Sequence, residues 1–306
     1  MSPVARRTPL LLLFVTPLLP MAPGRAQQPA PAAVVTPQEQ NALRAAAYKA
    51  ENEGRFGAAA DRFLKLSRAA PERVDYLVAA GRCLGRSGRF GEAIDLLDAG
   101  RRRFDGSLEV AAMLARTLLL RAEREAGIVH PEVLWADAAE IAEGVLQLDP
   151  DHLDCRLLLA QAEFLLGDWA RATAEAEEAA RRHPDHPGAH VLLGRIAMET
   201  MARLLQRHAA ERPTGAAEAN LVAEISAERR RAHTAFTRAA ALDPTRAHPH
   251  VALSQLASLD HKDDEARRHL LDALAIDPEV SADHDRLTQG MDWQARRDLY
   301  RDLRER

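Results

Sequence analysis

The feature that most constrains this chain is a spacing. Gly54-Arg55-Phe56-Gly57 returns 34 residues later as Gly88-Arg89-Phe90-Gly91, and Gly167-Asp168-Trp169 repeats the theme. Prolines keep the same interval: Pro150 to Pro184 and Pro244 to Pro278 are each 34 residues apart, and Pro71 falls in register before them. Three of them close a Leu/Ile-Asp-Pro run, at Leu148-Asp149-Pro150, Leu242-Asp243-Pro244 and Ile276-Asp277-Pro278. Between these markers lie pairs of amphipathic helical patterns. Glycine supplies a permissive backbone between the two helices of a pair, and proline stops the second helix. A hairpin of this size cannot bury its apolar face alone, so a recurring one implies a stack.

Two columns of small residues run through the stack. Position 8 of successive units reads Ala47, Gly81, Ala115, Ala160, Gly194 and Ser254, and position 20 reads Ala59, Ala93, Ala138, Ala172, Ala232 and Ala266. Small residues belong where two helices cross closely. The stretch from Leu153 to His186, with Ala160, Ala172, Ala179 and Pro184, resembles the tetratricopeptide repeat, a helix–turn–helix of about 34 residues. The resemblance covers Gln40 to Val280. It implies an all-α, right-handed superhelical solenoid of six units: residues 40–73, 74–107, 108–152, 153–186, 187–246 and 247–280. In the second unit Asp105 stands where the others have proline, with Gly106 as the breaker.

Two units exceed the period. The third carries about 11 extra residues, and Gly127 with His130-Pro131 suits a helix stop and restart. The fifth carries about 26 more. In it Met198, Met201, Leu204 and Leu205 continue an apolar stripe that Leu221, Val222 and Ile225 can face, with Arg212-Pro213-Thr214-Gly215 as the turn. This predicts a hairpin extended by about 13 residues per arm, or about 20 Å. Low aromatic content, 4% against 47% hydrophobic overall, suits closely packed helices rather than a sandwich or barrel.

The ends differ from the middle. Arg6-Arg7, the apolar run Leu10 to Leu19 and the Gly24-Arg25-Ala26 segment have the order of a secretory signal peptide, so residues 1–26 are expected to direct export to a periplasmic or secreted location. The apolar run is too short to span a bilayer, and no stable membrane span is expected after cleavage. Residues 27–39, rich in Pro and Ala, read as a flexible leader. Residues 281–306 read as charged C-terminal capping helices, which an open stack needs over its last apolar face. Loss of residues 1–26 takes the formal charge from −4 to −7, since Arg6, Arg7 and Arg25 leave with no acid. An acidic chain has no electrostatic footprint for nucleic acid. Cys83 and Cys155 lie two units apart, beyond disulfide reach, and read as packing residues.

Catalytic signatures are absent: there is no H-E-x-x-H, G-x-x-x-x-G-K-[ST], G-x-S-x-G or C-x-x-C, and no cofactor or enzyme activity is expected. His183, His186 and His190 flank an inter-unit proline without a carboxylate or cysteine to complete a ligand set, and they read as solvated turn residues, as do His248 and His250. The resemblance further implies that the first helix of each unit lines a concave groove through positions 2, 5, 9, 12 and 13. That register selects Tyr48, Arg82, Arg116, Gln161, Phe164, Leu165, Arg195, Met198 and Gln255. Arginine can pair with carboxylates or backbone carbonyls, and an apolar strip can take alternate side chains of a peptide. The two-carboxylate clamp of some such domains is not matched: the corresponding positions are Arg44, Tyr48, Ala79, Glu109 and Met113. The function implied is an exported, non-catalytic scaffold for a protein or peptide partner. The alternatives are a protein that self-associates through the extended hairpin, or a metal or small-ligand carrier using the histidines.

Overall fold

The computed structural model describes residues 36–280 apart from 126 and 279. The signal segment, nearly all of the Pro/Ala-rich leader and the C-terminal capping helices lie outside the described residues. Twelve α-helices and no strand occur within them: α1 (Pro37–Asn52), α2 (Phe56–Ala69), α3 (Val74–Arg86), α4 (Phe90–Arg103), α5 (Leu108–Arg124), α6 (Pro131–Leu148), α7 (Leu153–Leu166), α8 (Trp169–Arg182), α9 (Pro187–Glu211), α10 (Ala216–Leu242), α11 (Ala247–Leu259) and α12 (Asp263–Ile276). Each helix packs on the next. The first helices of neighbouring units also touch, α3 on α5, α5 on α7 and α7 on α9, which makes an inner layer of a right-handed solenoid.

Local chemistry accounts for the helix ends. Gly54, Gly88 and Gly167 sit at φ +72°, +81° and +88°, a left-handed turn that lets the chain reverse in a few residues. After the third, the Asp168 carboxylate accepts from the Arg171 backbone N–H at 3.0 Å and caps α8. Pro71, Pro150, Pro184, Pro244 and Pro278 each follow directly on the C-cap residue of a second helix. The first helix starts at Pro37, three residues ahead of Gln40. Its capping box is reciprocal, the Thr36 hydroxyl accepting from the Glu39 N–H while the Glu39 carboxylate accepts from the Thr36 N–H.

The small columns form the crossing points. All six position-20 alanines are fully buried, and so are Ala47, Ala115 and Ala160 of position 8. The two position-8 glycines have no room for a side chain. A Cβ on Gly81 would lie 2.8 Å from Leu97, and one on Gly194 would lie 2.7 Å from the Phe236 ring. In the last unit Ser254 occupies position 8, and its hydroxyl donates to the Ala266 carbonyl at 2.8 Å, tying the two columns together.

The long units extend this plan without altering it. In the third, Gly127 at φ +87° turns the chain midway between α5 and α6, and Pro131 opens α6 at its first position. In the fifth, the turn falls at residues 212–215 between helices of 25 and 27 residues, where α7 and α8 have 14 each. Met201, Leu221 and Ile225 are buried in the added seam, with Met198 and Leu204 packed against them. Leu205 and Val222 remain exposed at 41% and 47%. Cys83 and Cys155 are free and buried, and burial pushes both thiols up to about 12, which keeps them unreactive. No helix among the described residues is long and apolar enough to cross a membrane.

Candidate partner-binding groove

The inner layer encloses a hollow of about 750 Å³. Its walls come from the first helices α3, α5, α7 and α9, with Phe56 at one end and Arg246, in the turn before α11, at the other. Helix geometry explains the lining. Position 8 turns inward to the crossing with the second helix, so position 9, about 100° further round, faces the open side. Arg82, Arg116, Gln161 and Arg195, four of the predicted position-9 residues, accordingly line one hollow. Leu120, Leu157 and Val191 supply apolar floor between them. Tyr48 lies in an adjoining hollow of about 360 Å³ that shares Arg82, Met113, Arg116 and Asp154 with the first. Its ring packs edge-on against Phe63 at 5.1 Å.

The remaining predicted residues are placed elsewhere. Phe164 stacks edge-on against Trp169 at 4.9 Å and joins the apolar cluster between α7 and α9. Leu165 packs onto the core around α5 and α6. Met198 packs into the seam of the long hairpin. Gln255, on α11, is not among the residues that line the hollow. Positions 12 and 13 do not act alike: Leu119 and Leu120 of α5 line the hollow, whereas Phe164, Leu165 and Met198 meet apolar surface of adjoining helices and are covered by it. The Gln161 side chain remains in the lining, but its two apolar neighbours do not join it.

The arginines fall into two sets. Arg82 is held by Glu51 through two bonds of 2.8 and 3.2 Å, and Arg116 by Asp154 at 3.0 Å. These pairs join successive units and stiffen the wall. Among the described residues Arg86, Arg124 and Arg195 have no carboxylate in ion-pair range. Arg86 lies over the Phe56 ring at 3.9 Å and Arg195 near the Phe164 ring at 5.8 Å, contacts that orient a guanidinium without neutralising it. The lining carries six arginines, at 82, 86, 116, 124, 195 and 246; Arg246 belongs with the paired set, held by Asp243 at 2.7 Å, which leaves Arg86, Arg124 and Arg195 as the excess positive charge. A chain of net negative charge has a basic groove. Arg86 is position 13 of its unit, so the same register that selects Arg82 contains it; Arg246 lies in a turn and has no periodic signal.

The histidines of the inter-unit turn do not converge. A ring nitrogen of His183 lies 3.3 Å from the Asp151 carbonyl, and one of His190 lies 2.8 Å from the Pro184 carbonyl. His186 stands at the N-cap position of α9, at the rim of the groove, without a side-chain capping bond; it is half-buried, and burial holds its imidazole below the ordinary range.

Two family models of the tetratricopeptide repeat match the chain, over residues 44–107 and 135–196. No curated protein sequence matches it. Among solved structures it is similar to the human IFIT1 dimer bound to m7Gppp-AAAA, with TM-score 0.61 and 14% identity, covering 88% of this chain and 64% of that one. It is also similar to PilW, a type IV pilus biogenesis factor, with TM-score 0.56 and 13% identity, covering 79% and 96%. At such identities the likeness is one of fold.

Proposed function

We propose that this chain, an all-α solenoid carrying tetratricopeptide repeats, is an exported, non-catalytic scaffold that holds an extended acidic segment of a partner protein in its inner groove. The observation that supports this most is the split among the groove arginines. Arg82 and Arg116 serve the wall, while Arg86, Arg124 and Arg195 present unneutralised guanidinium groups beside an apolar floor. Such groups bind carboxylates and backbone carbonyls, and the floor accepts alternate apolar side chains. Export rests on the N-terminal order of Arg6-Arg7, Leu10 to Leu19 and Ala26. An N-terminus beginning at Gln27 in protein recovered from the envelope or medium is the expected outcome for that part, and an intact Met1 or Ser2 would contradict it.

The groove is tested by fluorescence polarisation with a labelled decapeptide of alternating Asp and Leu. Arg86→Glu combined with Arg195→Glu leaves both wall ion pairs intact. It removes two charge-assisted contacts of about 1.5–3 kcal/mol each, so binding is expected to weaken at least about tenfold. Equal binding by wild type and double variant would sink the reading. Preference for a single-stranded oligoribonucleotide of matched charge would assign the groove to a nucleic acid instead.

A further inference from the structure

The hairpin α11–α12 holds a second constellation, separate from the groove. His250 on α11 faces His269 and Asp272 on α12, and one ligand atom from each lies within 4.8 Å of the others. The two imidazole rings are 5.8 Å apart, centre to centre, and inclined at 40°. The His250 Nδ1 lies 4.0 Å from an Asp272 carboxylate oxygen, too far for a hydrogen bond. The Nδ1 atoms of both histidines are enclosed and meet no hydrogen-bond partner among the described residues.

The fourth unit shows what these positions do when they are only structural. His250 and His269 stand at positions 4 and 23 of their unit, and the same positions of the fourth unit hold Arg156 and Glu175. Those two close a direct ion pair at 2.6 Å across the α7–α8 hairpin. In the last hairpin two bases face each other instead, with a carboxylate one helical turn beyond.

We propose that His250, His269 and Asp272 bind a divalent first-row transition metal ion, with zinc as the reference ion. Two imidazoles and a carboxylate are a donor set suited to zinc, copper or nickel. Metal–nitrogen bonds of about 2.0–2.1 Å would draw the ligand atoms together by roughly an ångström, within reach of side-chain rotation. Asp272 is half-exposed, with 48% of its side chain accessible, so it can swing inward. A three-ligand site leaves a fourth position for water or a partner's side chain. Binding would staple α11 to α12, the last hairpin of the described stack.

The test is calorimetric titration of the full chain with zinc chloride at pH 7.5, beside Asp272→Asn and His269→Gln. Wild type is expected to bind one ion at this site. Each variant should bind at least about tenfold more weakly, and zinc should raise the melting temperature of wild type only. Asp272→Asn keeps shape and partial exposure, so its metal-free melting temperature should match wild type even if His269→Gln folds poorly. Cobalt substitution adds a second readout, the visible absorption of a four-coordinate ion in wild type that disappears in Asp272→Asn. Absence of zinc binding in wild type would overturn the proposal. So would unchanged affinity in Asp272→Asn, or binding that is lost in His183→Gln with His186→Gln but kept in His269→Gln.

Discussion

The α7–α8 and α9–α10 hairpins are neighbours built on the same base, yet one is almost twice as long. At the base both place a small residue under the partner helix, Ala160 in one buried cluster with Ala172 in the first and Gly194 against the Phe236 ring in the second. Beyond the base they diverge. In α7–α8 the chain turns at once, through Gly167 at φ +88° and the Asp168 cap. In α9–α10 an apolar seam of Met201, Leu221 and Ile225 continues for several turns before residues 212–215 reverse it. A solenoid can thus lengthen one unit sideways and still stack: the added seam of Met201, Leu221 and Ile225 shares one apolar cluster with Leu253 and Leu256 of α11, and Arg203 lies over the Trp169 ring of the preceding unit at 4.4 Å.

The comparison can be broken at its largest contact first. Phe236 is fully buried and seated on Gly194, and Phe236→Ala should cost about 3–5 kcal/mol. Denaturant unfolding would measure it, and a cost below about 1 kcal/mol would mean that the seam above, not the base, holds the long hairpin. A smaller effect belongs to the short hairpin. Asp168→Ala removes the α8 cap and should cost about 1 kcal/mol, whereas the long hairpin has no side-chain cap at Gly215 and offers no equivalent loss. The smallest effect is expected at the tip. Leu205→Lys with Val222→Glu replaces two exposed apolar residues and should change stability by no more than about 0.5 kcal/mol. Light scattering of that variant and of wild type should give the same mass. A wild-type dimer that the substitution dissolves would favour self-association through the hairpin over a free tip.

Local chemistry is legible in the residues themselves. The 34-residue interval, the glycine turns, the proline stops and the two small columns each depend on neighbours in sequence or on one recurring crossing, so they locate the hairpins and their long exceptions. Position 9 is legible for the same reason, because a helical register carries Arg82, Arg116, Gln161 and Arg195 to one face. Packing decides the rest. Phe164, Leu165 and Met198 share the register but turn to cover adjoining hairpins, since the apolar surface they meet depends on how units stack. Which arginines are neutralised depends on Glu51 and Asp154 arriving from other helices. In sequence His250 stands beside His248, but its partners in space are His269 and Asp272, brought over by the antiparallel return of α12. Periodicity along the chain therefore determines which face a residue occupies, and only tertiary structure decides what it meets there.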